Sequence, residues 1–109
     1  MKILNIHKTI TAEQLLTLLQ QKLNPLFHHQ RQSDDISFIS EIKDGVVEIS
    51  CPEIYEGFLY RIEIKGSELH VTRSVDYIDD VNSLTVESIL NELFKELAAD
   101  GNVTFVLEG

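Results

Sequence analysis

The residue whose chemistry is hardest to place is Arg73. In the alternating run Leu69, Val71, Arg73, Val75, Tyr77 it occupies the apolar, inward phase of a strand. A buried guanidinium without a partner is costly. Three outcomes follow: Arg73 snorkels past an edge, a bulge turns it outward, or it binds an anion. Tyr60, Tyr77, Ser40 and Cys51 share the inward phase of their strands. Arg73 with Tyr60, Tyr77 and Ser40 therefore forms a candidate pocket of aromatic walls around one fixed cation, suited to a carboxylate or phosphate.

Other groups offer less. His28 and His29, with Asp34 and Asp35 close in sequence, contain metal-ligand chemistry, but adjacent side chains seldom converge on one ion. The reading is solvent-exposed loop histidines and no metal or cofactor. His7 and His70 fall on the outer sheet face without an acid–base partner. Cys51 as a nucleophile would need a base and a thiolate-favouring environment, and nothing local supplies either, so it reads as a buried thiol. Asp79, Asp80 and Glu87 lack the alternating oxygen ligands of a calcium loop and read as loop and helix cap. No catalytic residue is assigned, and no motif identifies a family.

The elements that must position these groups follow from periodicity. Residues 36–77 alternate apolar and polar at every second position, with Asp44-Gly45 and Gly66-Ser67 as turns, and predict a four-strand antiparallel meander. Before it, Lys2 to Lys8 suits a first strand, and Ala12 to Leu23 carries a helical stripe of Leu15, Leu16, Leu19 and Leu23. Thr11 caps that helix through Gln14, Ile10 staples to Leu15, and Asn24-Pro25 ends it. Leu84-Thr85 repeats the staple and cap before a second helix, which carries Ile89, Leu90, Leu93 and Leu97. Val103, Phe105 and Leu107 form a last strand.

The expected fold is therefore a single α+β domain over residues 1–109, ordered β-α-β-β-β-β-α-β. Its six-stranded sheet is mixed but mostly antiparallel, with parallel pairs at the two strand–helix–strand passages and both helices on one face.

That arrangement leaves the other face uncovered. Ile3, Ile39, Val46, Leu59 and Val106 are expected there among charged residues, which makes them a candidate interface for homodimerisation.

Nine Lys and Arg stand against eighteen Asp and Glu, a net charge of −9 that disfavours nucleic-acid phosphate as a partner. Residues 33–57 hold seven acids against one Lys, and residues 76–100 likewise. These blocks could steer a basic protein partner; the alternative is that they serve solubility. No apolar run is long enough to cross a membrane and the one cysteine forms no intrachain disulfide, so a cytoplasmic location is expected. The functional expectation is a non-enzymatic, homodimeric, acidic interaction module that binds another protein as an inhibitor, adaptor or chaperone does. The alternative is a domain or small enzyme that binds an anionic small molecule between helices and sheet.

Overall fold

A computed structural model describes residues 1–75 and 80–108. Strands β1 (Lys2–Asn5), β2 (Ile39–Lys43), β3 (Val46–Ser50), β4 (Phe58–Lys65), β5 (Glu68–Arg73) and β6 (Thr104–Leu107) form one sheet. Helix α1 (Ala12–Arg31) follows β1, and α2 (Val81–Leu97) precedes β6. The class, the element order and the strand count are those expected from periodicity. The pairing is simpler than expected: the sheet runs β2-β3-β4-β5-β1-β6 and every neighbouring pair is antiparallel. Each helix carries the chain back so that the next strand runs parallel to the one before it, but β2 lies at the far edge from β1 and β1 stands between β5 and β6, so the expected parallel neighbours do not form.

The first helix begins as its sequence dictates. The Gln14 N–H donates to Thr11 Oγ1 at 3.1 Å, and the Thr11 N–H donates to Gln14 Oε1 at 2.8 Å. These two reciprocal bonds satisfy donors that the helix itself leaves orphaned. Ile10 and Leu15 are buried beside the cap. The helix does not end at Asn24-Pro25, however. It runs through Pro25 to Arg31, and Gln32 closes it in the left-handed conformation. Pro25 forfeits one backbone bond on the exposed side of the helix. The turn beyond it buries Phe27, whose ring packs edge-on to Phe38 with centroids 4.8 Å apart. Core burial beyond the proline outweighs the lost bond.

The second helix starts a turn before the expected cap. Asp80, not Thr85, is the N-cap: its carboxylate accepts from the Ser83 N–H at 2.8 Å. Thr85 lies inside the helix and donates its hydroxyl to the Val81 carbonyl at 2.7 Å. The resemblance between the two helix starts is thus a matter of sequence only. Val86, Ile89, Leu90, Leu93 and Phe94 face inward and join Leu15, Leu19, Leu23 and Phe27 of α1 in a single core over the sheet. Among the described residues no helix is long and apolar enough to cross a membrane.

A bulge in β4 decides which of its residues face the core. Ile49 pairs with Tyr60 and Ser50 with Phe58, so Leu59 is the extra residue on its strand. Strict alternation placed Leu59 outward and Phe58 inward. The bulge turns Leu59 in with Tyr60, leaving it 1% exposed. Phe58 is left on the outer face with the Arg61 guanidinium 5.5 Å from its ring centroid.

Candidate functional site

The register of the meander sets Ser40, Ile49, Tyr60 and Arg73 side by side in one row across β2 to β5. Three strand spacings put Ser40 about 14 Å from Arg73. The two therefore do not meet in one pocket. Ser40 is half-buried under α1, where its carbonyl accepts from Gln20 Nε2 at 3.3 Å. Tyr77 lies outside the described residues. Arg73 and Tyr60 do come together, lining a cleft of about 200 Å³ between the ends of β1 and β5 and the flank of α2. Val71, Leu90 and Phe94 supply its apolar wall, and Lys2, Glu87 and Asn91 its polar groups. Arg73 keeps the inward phase, but it is the last residue of β5 and reaches solvent past the helix, so it is exposed. Its exposure fits snorkelling past the sheet's end, and the bulge belongs to β4.

A polar cluster that the sequence did not disclose sits at the start of α2. The Tyr55 hydroxyl reaches both carboxylate oxygens of Asp80, at 2.8 and 2.6 Å, and Ser83 Oγ lies 3.4 Å from it. The Tyr60 hydroxyl donates to the Ser83 carbonyl at 3.3 Å. Burial raises the Tyr55 pKa above its ordinary value, and the bond to Asp80 raises it further. Burial alone would also raise Asp80, but the bonds from Tyr55 and from the Ser83 N–H outweigh it and hold the carboxyl below the usual aspartate value. The Asp-x-x-Ser spacing of Asp80 and Ser83 is a legible cap signal. Nothing in the sequence joins Tyr55 to it across twenty-five positions. The cluster ties the β3–β4 connection to α2.

Cys51 is buried and its thiol pKa is raised, first by burial and then by the nearby Glu53 carboxylate, the opposite of what a reactive thiolate requires. His28 and His29 lie on the last turns of α1, not in a loop. His28 Nε2 donates to the Ile36 carbonyl at 2.6 Å. Among the described residues no three His, Cys, Asp or Glu side chains stand close enough to hold a metal ion. His7 Nε2 bonds Thr104 Oγ1 at 2.8 Å, and His70 Nε2 lies 3.1 Å from Glu68 Oε1.

The five candidate interface residues are scattered. Leu59 is in the core, and Ile3 and Val46 are half-buried. Ile39 and Val106 are exposed but lie on β2 and β6, the opposite edges of the sheet, so the five form no single patch. Much of the outer face is laced with ion pairs: Lys43 to Glu41 and Glu48, Arg61 to Glu48, and Lys65 to Glu63. The apolar exposure collects instead on the edge strand β6, where Phe105, Val106 and Leu107 are 50%, 53% and 48% exposed. Beside it, Leu4, Phe94, Val103 and Phe105 line an open groove of about 380 Å³ along α2. No protein-family model, curated protein or solved structure matches this chain.

Proposed function

We propose that the chain is a non-enzymatic interaction module that pairs with a second copy through β6 and presents its acidic surface to another protein, as an inhibitor, adaptor or chaperone would. The observation that carries this reading is β6 itself: three consecutive large apolar residues half-exposed on a strand that, among the described residues, has a strand neighbour on one side alone. A chain of net charge −9 repels its own copies over most of its surface, but Thr104–Leu107 is uncharged. Antiparallel pairing of two β6 strands about a two-fold axis centred on Phe105 sets the Glu108 carboxylates about 20 Å apart, beyond the screening length at physiological salt. Each Glu108 then lies across from Asn102 of the other copy, in the groove that Lys95 also lines.

Light scattering on the purified chain at micromolar concentration tests the pairing. The expected mass is that of a dimer, falling to a monomer in Val106→Lys; a monomeric parent would overturn it. The partner is expected to be basic. Affinity capture from the native host, followed by titration of the purified candidate across a salt series, should show binding that weakens steeply with salt. Binding indifferent to salt would count against the acidic surface as the contact.

A further inference from the structure

Two of the nine cationic side chains of this acidic protein, Lys2 and Arg73, line the cleft between the ends of β1 and β5 and helix α2. Among the described residues that line it, Glu87 is the one carboxylate. The wall beneath them is apolar and buried: Val71, Leu90, Phe94 and the ring of Tyr60. Lys2 is held there from two sides. Its Nζ donates to Asn91 Oδ1 at 3.1 Å and lies 5.4 Å from the centroid of the Phe105 ring. An ammonium has three donors, so one bond to Asn91 leaves others for a ligand. A guanidinium has five, and Arg73 can take a carboxylate oxygen in addition to the interaction it already makes. All of these residues sit on strands and a helix, so the arrangement is present before any ligand arrives.

We propose that this cleft binds a small amphipathic carboxylate, with its anionic head between Lys2 and Arg73 and its apolar body against Val71, Leu90 and Phe94. The volume suits a ligand of about ten non-hydrogen atoms, smaller than drug-sized occupants of larger pockets. A single negative charge is favoured over a dianion, because Glu87 would face the second charge at close range. The apolar part of the wall would be wasted on an inorganic ion. The cleft is lined by β1, β4, β5 and α2, and β6 touches it through the Phe105 ring beside Lys2.

The test is a titration of the ¹⁵N-labelled chain followed by amide NMR at constant ionic strength, with hexanoate, benzoate, 1-hexanol and inorganic phosphate as probes. Hexanoate and benzoate should produce saturable shifts at Val71 to Arg73 and Leu90 to Phe94, while 1-hexanol and phosphate should not. Lys2→Gln and Arg73→Gln should each weaken the carboxylates by about tenfold, the loss of one charge-assisted contact. The Arg73 side chain is on the exposed rim, so Arg73→Gln decides the matter should Lys2→Gln disturb β1. Failure of both carboxylates to saturate, equal binding of 1-hexanol or phosphate, or undiminished binding by a folded Arg73→Gln would each overturn the proposal.

Discussion

The side chain of Asn24, on α1, pairs with the backbone of Phe38 as a neighbouring strand would. The Phe38 N–H donates to Asn24 Oδ1 at 2.7 Å, and Asn24 Nδ2 donates to the Phe38 carbonyl at 2.9 Å. The helix thereby fixes the entry to the edge strand β2 and satisfies backbone groups that lie just outside the sheet. Asn24→Ala removes both bonds at a part-buried site and should cost about 2 kcal/mol in urea unfolding. Asn24→Asp keeps an acceptor but cannot donate to the carbonyl, and should be no better tolerated. A cost near zero for Asn24→Ala would mean that water replaces the carboxamide.

The Tyr55–Asp80 pair should make stability fall at both ends of the pH scale. Asp80 has a depressed folded pKa, so its contribution is present above the ordinary aspartate value and is lost as pH falls through the folded value. Tyr55 has a raised folded pKa, so its contribution is present below the ordinary tyrosine value and is lost as pH rises through the folded value. Thermal unfolding across pH should show Asp80→Asn flattening the acid limb and Tyr55→Phe flattening the alkaline limb. Parent-like slopes in both variants would refute the linkage.

The bulge in β4 predicts a contrast between adjacent residues. Leu59→Ala should cost about 2–5 kcal/mol, as deep truncations in a packed core do. Leu93→Ala, on the inward stripe of α2, should fall in the same range. Phe58→Ala should cost clearly less than Leu59→Ala, because its ring is half-buried on the outer face beside Arg61. The reverse order in chemical denaturation would restore strict alternation.

The turn between β2 and β3 needs left-handed backbone at two successive positions. Asp44 and Gly45 both have positive φ, at 52° and 79°, and a Cβ added at Gly45 would meet nothing within 4 Å. Gly45→Ala should therefore cost about 1 kcal/mol through the left-handed backbone, with no steric term. At Gln32, with φ of 53°, the opposite change to glycine should raise the unfolding midpoint modestly.

What was legible in the sequence is what local chemistry dictates. The Thr11 capping box, the Asp44-Gly45 turn and most of the two helical stripes stand as their residues imply, because each depends on neighbours a few positions away; Leu16, placed on the first stripe, is only half-buried and lies outside the core. The extension of α1 was not legible, since Pro25 argues locally for a stop and only the burial of Phe27 against Phe38 overrides it. The sequence offers two caps for α2, because Thr85 with its staple repeats the pattern at Thr11; Asp80 is the stronger cap by type and is also bound by Tyr55, and it starts the helix. Of the candidate pocket, Arg73 and Tyr60 share a cleft. Ser40 is excluded because its strand and that of Arg73 stand three places apart in the meander, a separation the expected strand order already implies. Lys2 enters because β1 pairs with β5, which no periodicity reveals, and Asn91 because α2 flanks that end of the sheet.

The place of β1 between β5 and β6 bears on how the chain reaches this structure. The meander from β2 to β5 can assemble through hairpins whose partners are close in sequence, whereas β1 finds its first partner about seventy positions later, at Val71 and its neighbours. Closing so long a loop is entropically slow, and β6 can dock only after β1 is in place. Until then a partly built sheet ends at β5, an edge capable of pairing wrongly with another chain. The chain should therefore refold with a late phase reported by Lys2 and Phe105. Yield on refolding should fall with protein concentration even where the finished fold is stable.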